Sequence, residues 1–282
     1  MDSQTVITLW ELTAGQDYSE RLTLLDNISE NLSMEECEKV LQHIEEEIRK
    51  ENAPKVLPFR RTLAPGMTDN VKLSKMLADK KLSPRLLDAF ARHDRMPWKV
   101  SVSMNAEIQS ETLDYLADYD GDCENVGDFM LTCIASHRNT TAETLTKLYE
   151  KFKNLKHKNI TKILCAVAEN STTPQNIVEK LASHSQILVR SSAAMNENAT
   201  TELLTKLSHD YARGVLMSVA ENWRTPTEVL DEMSRTQNNK EVLSQIADNK
   251  NSSVSTLKRL MNNPDPDVYI AAKANLESRT HD

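Results

Sequence analysis

The stretch "DYDGDCENVGD" (118–128) concentrates carboxylates, and aspartates at alternate positions are how a calcium loop begins. Asp118, Asp120 and Asp122 have that first spacing. Such a loop needs a glycine at its sixth position and a bidentate glutamate at its twelfth, and the chain places Cys123 and Phe129 there. The residues therefore read as a solvated acidic loop. Seven histidines (His43, His93, His137, His157, His184, His209 and His281) are scattered without ligand spacing. Cys37, Cys123, Cys133 and Cys165 form no CxxC pair. P-loop, GxSxG and HExxH motifs are all missing. The sequence thus nominates no catalytic residue, no metal ligand set and no cofactor, and the expectation is a protein that is not an enzyme.

What remains is the chemistry of surfaces. The net charge of −8 over 282 residues is unevenly spread. Residues 1–53 hold thirteen acidic and four basic side chains, net −9, whereas 54–100 hold eleven basic and four acidic, net +7. A second basic run is "KFKNLKHKNITK" (151–162). These two stretches keep a nucleic-acid partner open as the alternative. The acidic balance favours a protein partner with a basic or mixed-charge surface, because a general nucleic-acid binder carries a basic domain. No N-terminal apolar leader and no 20-residue apolar span is present, so the expectation is a cytoplasmic protein with reduced thiols and no membrane contact.

The elements that would position such a surface repeat. "VAENSTTPQNIVEKLA" begins at Val167 and "VAENWRTPTEVLDEMS" at Val219. With the Asn of this phrase as anchor, positions 79, 105, 137, 170, 196, 222, 249 and 275 align, and the common spacing is 26 residues. Two spacings, 105 to 137 and 137 to 170, are longer by six and seven. Apolar residues recur eight and eleven positions after the anchor, as in Leu204 and Leu207, and seven and three before it, as in Val215 and Val219. Two before the anchor the chain is small: Ser103, Ala135, Ala168, Ala194, Ala220 and Ala247, with Lys273 the exception. Few glycines and 5% aromatic residues argue against a β fold.

Each unit reads as two short helices that cannot bury their apolar faces alone. Thr173-Pro174, Thr225-Pro226 and Ser83-Pro84 place a capping hydroxyl ahead of a helix-starting proline, and Thr225 with Glu228 suits a capping box. The expected fold is all-α, a right-handed α-solenoid of 26-residue helix pairs over 70–282. Residues 1–53 read as an N-terminal helical cap, with Ser33 and Glu36 as a capping box, and the proline-bearing 54–69 as a connector exposing Arg60 and Arg61. The anchors Asn170, Asn196, Asn222 and Asn249 are expected to be buried or half-buried and bonded to backbone between helices.

The pattern Ala-x-Asn-x-x-Thr-Pro-x-x-x-Leu-x-x-Leu, with "LVRSSAAMN" (188–196) and "PDPDVYIAAKAN" (264–275), resembles the leucine-rich repeat variant family, which is akin to HEAT repeats. The resemblance implies a superhelical solenoid and a binding role. The family's best-known member looks to carry a cysteine-ligated iron–sulfur domain, for which the lone N-terminal Cys37 does not suffice. DNA glycosylases built on HEAT-like repeats share only the architecture. The arginine that often follows the family's core valine survives at Arg190 alone.

Solenoids bind along lines of equivalent positions. The position before the anchor holds Glu169, Met195, Glu221 and Asp248 in consecutive repeats, and Trp223 and Arg224 follow one anchor where the repeat needs neither. An indole beside a guanidinium is a common interface pair. The expected binding residues are Glu169, Glu221, Asp248, Trp223, Arg224 and Arg190. The expected function is a non-enzymatic protein-binding scaffold, such as an acidic inhibitor or immunity-type protein covering a basic target. The alternative is a HEAT-like protein that binds or processes nucleic acid through 54–100 and 151–162.

Overall fold

A computed structural model describes residues 2–14, 16–51, 67–119, 126–155 and 158–279, without the side chains of 51, 67–72 and 158. Every regular element among them is an α-helix. The chain forms two compact units, Met1–Thr140 and Thr141–Asp282. The first holds α1 (Ser3–Leu12), α2 (Tyr18–Ser29), α3 (Met34–Glu51), α4 (Met67–Asp79), α5 (Pro84–Arg92), α6 (Met96–Ser103), α7 (Ser110–Ala117) and α8 (Val126–Ser136). The second holds α9 (Ala142–Phe152), α10 (Lys158–Glu169), α11 (Gln175–Leu181), α12 (Ile187–Met195), α13 (Thr201–Leu207), α14 (Arg213–Glu221), α15 (Thr227–Thr236), α16 (Lys240–Asp248), α17 (Val254–Leu260) and α18 (Pro266–Ser278).

In the second unit α10, α12, α14, α16 and α18 pack side by side in that order, and each also packs on the helix that precedes it in its pair. The spacing of apolar residues explains this. The rows seven and three before the anchor (Ile163, Val189, Val215, Val242, Val268; Val167, Ala193, Val219, Ile246, Ala272) are fully buried, as are Val178, Leu204, Leu230 and Leu257 from the partner helices. Ala168, Ala194, Ala220 and Ala247 have no exposed surface, so the backbones of the packed column approach closely. Seven of its helices span seven to ten residues, below the length at which an isolated helix is stable in water, and stacking supplies the difference.

The seven extra residues before anchor 170 are not a loop. α9 has eleven residues where α11 and α13 have seven, and α10 has twelve where α12 and α14 have nine. The additional length is about one helical turn on each member of the pair.

The anchors tie the pairs together. Asn196 Nδ2 donates to the carbonyls of Ala168 (2.7 Å) and Asn170 (3.0 Å). Asn222 bonds Ala194 and Asn196, Asn249 bonds Ala220 and Asn222, and Asn275 bonds Ala247 and Asn249, with the same two distances to within 0.1 Å. The Oδ1 of Asn170, Asn196, Asn222 and Asn249 accepts the N–H two residues on. All four anchors are buried. At the end of the ladder, where α18 continues past Asn275, Arg279 Nε donates to that free Oδ1 and its other nitrogens donate to the carbonyls of Ser252 and Lys250.

The capping expectation is corrected here. The N-caps of α11 and α15 are Pro174 and Pro226, not the preceding threonines. Thr173 and Thr225 instead turn their buried hydroxyls back to the carbonyls of Val167 and Val219, and Ser252 does the same to Ile246. A hydroxyl three residues after the anchor thus closes the end of the helix behind it, satisfying a carbonyl that the helix leaves open. Glu228 makes no capping box with Thr225, because that hydroxyl is already committed. Ser83 does cap α5 as its sequence suggests, and Ser33 with Glu36 makes the reciprocal capping box at α3.

The first unit uses the same anchor logic. Asn105 Nδ2 donates to Leu77 and Lys80, and its Oδ1 accepts from Glu107. At the next anchor an imidazole replaces the amide: His137 Nδ1 accepts the N–H of Asn139, and Nε2 sits 3.1 Å from the carbonyl of Asn105. Both contacts are met by the neutral ring protonated on Nε2. Helices α2 and α3 pack on α4 and α5. Their own centre is Arg21, which lies over the Trp10 ring at 3.9 Å and donates to the Trp10 carbonyl and to Glu47, while Trp10 Nε1 donates to Glu47. Residues 54–66, with Arg60 and Arg61, lie outside the described residues, and Met67–Asp79 already belongs to α4.

Two outcomes test this frame. Asn222→Ala leaves the carbonyls of Ala194 and Asn196 and the N–H of Arg224 without their partner, and it is expected to cost about 2–4 kcal/mol in urea unfolding. Leu207→Ala, by cavity formation, should fall in the same range, about 2–4 kcal/mol. The second outcome concerns pH. Burial holds His137, His93 and His184 below the ordinary histidine value of 6.5, and the Nδ1 of each accepts a backbone N–H. The unfolded chain then binds these protons first, so stability is full above pH 6.5 and falls as pH drops below it. Denaturation midpoints at pH 7.5 and 5.5 should show the fall, and His137→Asn should reduce its size.

Candidate binding surface

The line of residues before the anchors lies on the packed column of the second unit. Glu169, Glu221 and Asp248 are all exposed, and Met195 between them is 46% exposed. Glu169 accepts a hydrogen bond from Ser192 at 2.6 Å. Glu221 and Asp248 have no ion-pair partner among the described residues. Partial burial pushes the Asp248 carboxyl above its ordinary value. Four residues back on the same helix faces lie Met217 and Ser244. With Lys240, Glu241, Gln245 and Asp267 they line a hollow of about 310 Å³. The charges in that hollow neutralise one another: Arg213 pairs with Glu241 at 3.6 Å, and Lys240 with Asp265 at 3.4 Å and Asp267 at 3.9 Å. Glu221 and Asp248 thus stand beside this hollow without an ion partner of their own among the described residues.

Trp223 is 62% exposed. Its turn is nevertheless held on both sides. The Arg224 N–H donates to Asn222 Oδ1, the Thr225 N–H to the Asn222 carbonyl, and Asn251 Nδ2 to the carbonyls of Trp223 and Thr225. The Arg224 guanidinium lies 4.8 Å from the indole centroid. An aromatic ring presented on a hydrogen-bonded turn loses little freedom when a partner covers it.

Arg190 does not join this surface. It is 7% exposed, grips Asp210 with two bonds of 2.7 and 3.0 Å, and donates to the carbonyls of His184 and Ser185. The Asp210 partnership pushes its pKa up and holds Asp210 down. Nothing in the sequence signals this commitment, because the Asp210 partner, twenty positions away, follows no row of the repeat. Sequence reasoning also missed Tyr211, largely exposed beside the Arg190 guanidinium, and Ile270, exposed on α18. The acidic loop at Asp120–Asn125 lies outside the described residues. Among the described residues no three His, Cys, Asp or Glu side chains converge as a metal site, and no helix is long and apolar enough to cross a membrane.

Five of the eleven basic side chains of 54–100 are engaged within the first unit. Lys80 bonds Ser19 and Thr23, Arg85 the Leu32 carbonyl, Arg92 pairs with Asp88, Arg95 with Glu45, and Lys99 bonds the Ala91 carbonyl.

The chain resembles a leucine-rich repeat variant protein. A solved structure described as a leucine-rich repeat variant with a novel repetitive structural motif matches 70% of this chain and 88% of its own, at 19% identity and a TM-score of 0.39. A designed armadillo repeat protein, solved in complex with the peptide (KR)4, matches 98% of this chain and 99% of its own at 14% identity, with a TM-score of 0.21. An engineered protein matches 98% of each chain at 12% identity and a TM-score of 0.29. No family model matches the chain, and no curated protein does. Scores of this size carry no structural argument, so the helical repeat rests on the hydrogen bonds and buried rows above.

The placement of Trp223 has a direct check. Trp10 and Trp98 are buried, so iodide should quench mainly the emission of Trp223. Trp223→Phe is expected to abolish most iodide quenching while leaving the unfolding midpoint unchanged, because exposed substitutions of this kind shift stability by only about 0.5 kcal/mol. Strong quenching that survives the substitution would contradict the buried positions of the other two.

Proposed function

We propose that this chain is a non-enzymatic protein-binding scaffold, and that the outward line Glu169–Met195–Glu221–Asp248 with Trp223 and Arg224 contacts a partner with a basic or mixed-charge surface. The observation that carries the reading is the pair of carboxylates without ion partners among the described residues, Glu221 and Asp248, near an exposed indole on a hydrogen-bonded turn. A row of carboxylates attracts a basic surface and repels the phosphates of duplex DNA. An exposed aromatic flanked by a guanidinium supplies the desolvated centre that charge alone does not. An inhibitor or immunity-type protein has this form, because covering a basic target needs a broad acidic face and no chemistry. Helices α1–α3 serve in this reading as the cap of the first unit, with Glu45 of α3 meeting Arg95 in the turn after α5.

The test is affinity capture from the native host, followed by measurement on the captured protein. The double variant Trp223→Ala, Glu221→Lys is expected to fold normally and bind at least about tenfold more weakly. Unchanged affinity with intact folding would place the interface elsewhere. Titration with labelled duplex and single-stranded DNA at two salt concentrations should show no salt-sensitive binding, and a steep salt dependence would instead support the nucleic-acid reading.

A further inference from the structure

The extra turn on α9 and α10 has a structural result. This pair overhangs the next one, α11 and α12, by about 5 Å of helix. The step forms a cleft of about 880 Å³, within the range of small-molecule sites. One wall comes from the overhang (Lys153, Asn154, Leu155, Ile160, Thr161, Leu164), and the other from Lys180, the turn Ser183–Gln186 and Leu188. Ile160 and Leu164 form a buried apolar floor, whereas Leu155 and Leu188 are half or more exposed, Leu188 at 66%.

The cations are arranged unequally around this apolar floor. Lys153 pairs with Glu150 and lies over the Tyr149 ring. Lys180 lies 5.8 Å from the same ring and has no carboxylate partner among the described residues. Lys206, also without one, donates to Ser183 Oγ at 2.8 Å and so stands just behind the cleft wall. His184, in the wall, is held neutral by burial and the nearby Arg190. The site thus combines exposed apolar walls with one lysine, Lys180, that no carboxylate of the described residues neutralises, beside a second, Lys153, that Glu150 partners. A nucleic acid would use the charge but not the leucines, and a purely apolar ligand would leave the lysines unused.

We propose that this cleft binds a small amphipathic anion, an apolar chain lying along Leu155, Ile160, Leu164 and Leu188 with a carboxylate or phosphate head at Lys180 and Lys153. The site is separate from the Glu221–Asp248 surface and does not rest on it. Both head groups share one chemistry, a compact anion on a chain that seeks an apolar wall.

The experiment is calorimetric titration of the full chain with decanoate and with decyl phosphate below their micellar concentrations, with decanol and inorganic phosphate as the two half-ligands. Saturable one-to-one binding of one or both anions, at least about tenfold tighter than either half-ligand, is expected; which anion binds tighter identifies the head. Lys153→Glu, Lys180→Glu together, and Leu188→Asp separately, should each weaken it at least about tenfold with unchanged helical content and melting. Trp223→Ala should leave it unchanged. The proposal is overturned if neither anion saturates, if decanol or phosphate binds as well as the joined molecule, or if both cleft variants fold and bind like the parent chain. Two variants on chemically different walls keep the test decisive should one of them fail to fold.

Discussion

One asparagine amide per repeat carries the constraint on which the stack of helix pairs depends. Where a helix ends against its neighbour, its last carbonyls face protein and not water, and a buried carbonyl without a donor is costly. An Asn at that point supplies two donor hydrogens backward, to the helix end and the turn of the previous repeat, and one acceptor forward, to its own turn. Its three bonds are intact only when both repeats are in register. The same contact therefore satisfies the backbone, sets the offset between repeats and excludes slippage. It also explains the row of small residues two positions earlier, since the accepting carbonyl of Ala194 or Ala220 is reached only if that backbone comes close. His137 shows that the constraint is one of geometry and not of residue type. An acceptor and a donor at the right separation suffice, and the change from amide to imidazole brings with it a sensitivity to protons.

Because the anchor amides are fully engaged, they cannot double as a ligand-binding row, and recognition must come from their neighbours. The residue before the anchor is exposed and varies in type, as Glu, Met, Glu and Asp, with only Glu169 bonded to a neighbouring repeat through Ser192. The residue after it sits on a turn pinned from both sides, so whatever side chain it bears is held in place. Trp223 combines these conditions: its backbone is as ordered as the ladder, and its side chain belongs to none of the packing.

Much of the fold was legible in the sequence, and the reasons for success and failure differ by residue. Val215, Val219 and Leu230 were readable because burial repeats at a fixed interval and periodicity exposes it. Asn222 was readable because a short polar residue between two apolar helices has few structural roles. Thr225 was misread as an N-cap because a hydroxyl before a proline suits that role locally. Its actual acceptor, six residues back, comes near only after the two helices fold against each other. Arg190 and Arg21 were opaque for a further reason: each ion pair joins positions the repeat does not relate, twenty and twenty-six residues apart, and is an individual solution to one local gap. The Lys-rich stretch was legible as an insertion but not as added length on both α9 and α10, because its charges do not mark where one helix ends and the next begins.

Charge shows most clearly why segment composition misleads. The N-terminal 53 residues carry net −9 and the next 47 carry net +7, which invites a search for two partners of opposite sign. The fold answers much of this internally. Arg95 reaches Glu45, Lys80 reaches α2, and Arg85 closes the carbonyl at Leu32. Opposite charges at interacting elements favour the correct pairing of helices and oppose alternatives, even where each surface pair adds little stability. Electrostatic evidence for an external partner therefore lies only in groups that the fold leaves unmatched. Among the unmatched groups of the second unit two sets stand beside exposed apolar side chains: carboxylates near an exposed indole on the packed column, and Lys180 near the exposed leucines of the cleft next to the longer helix pair. Neither arrangement helps the stack to hold together. An exposed apolar group beside an unpaired charge is an expense that folding does not require, and a ligand that covers both relieves both.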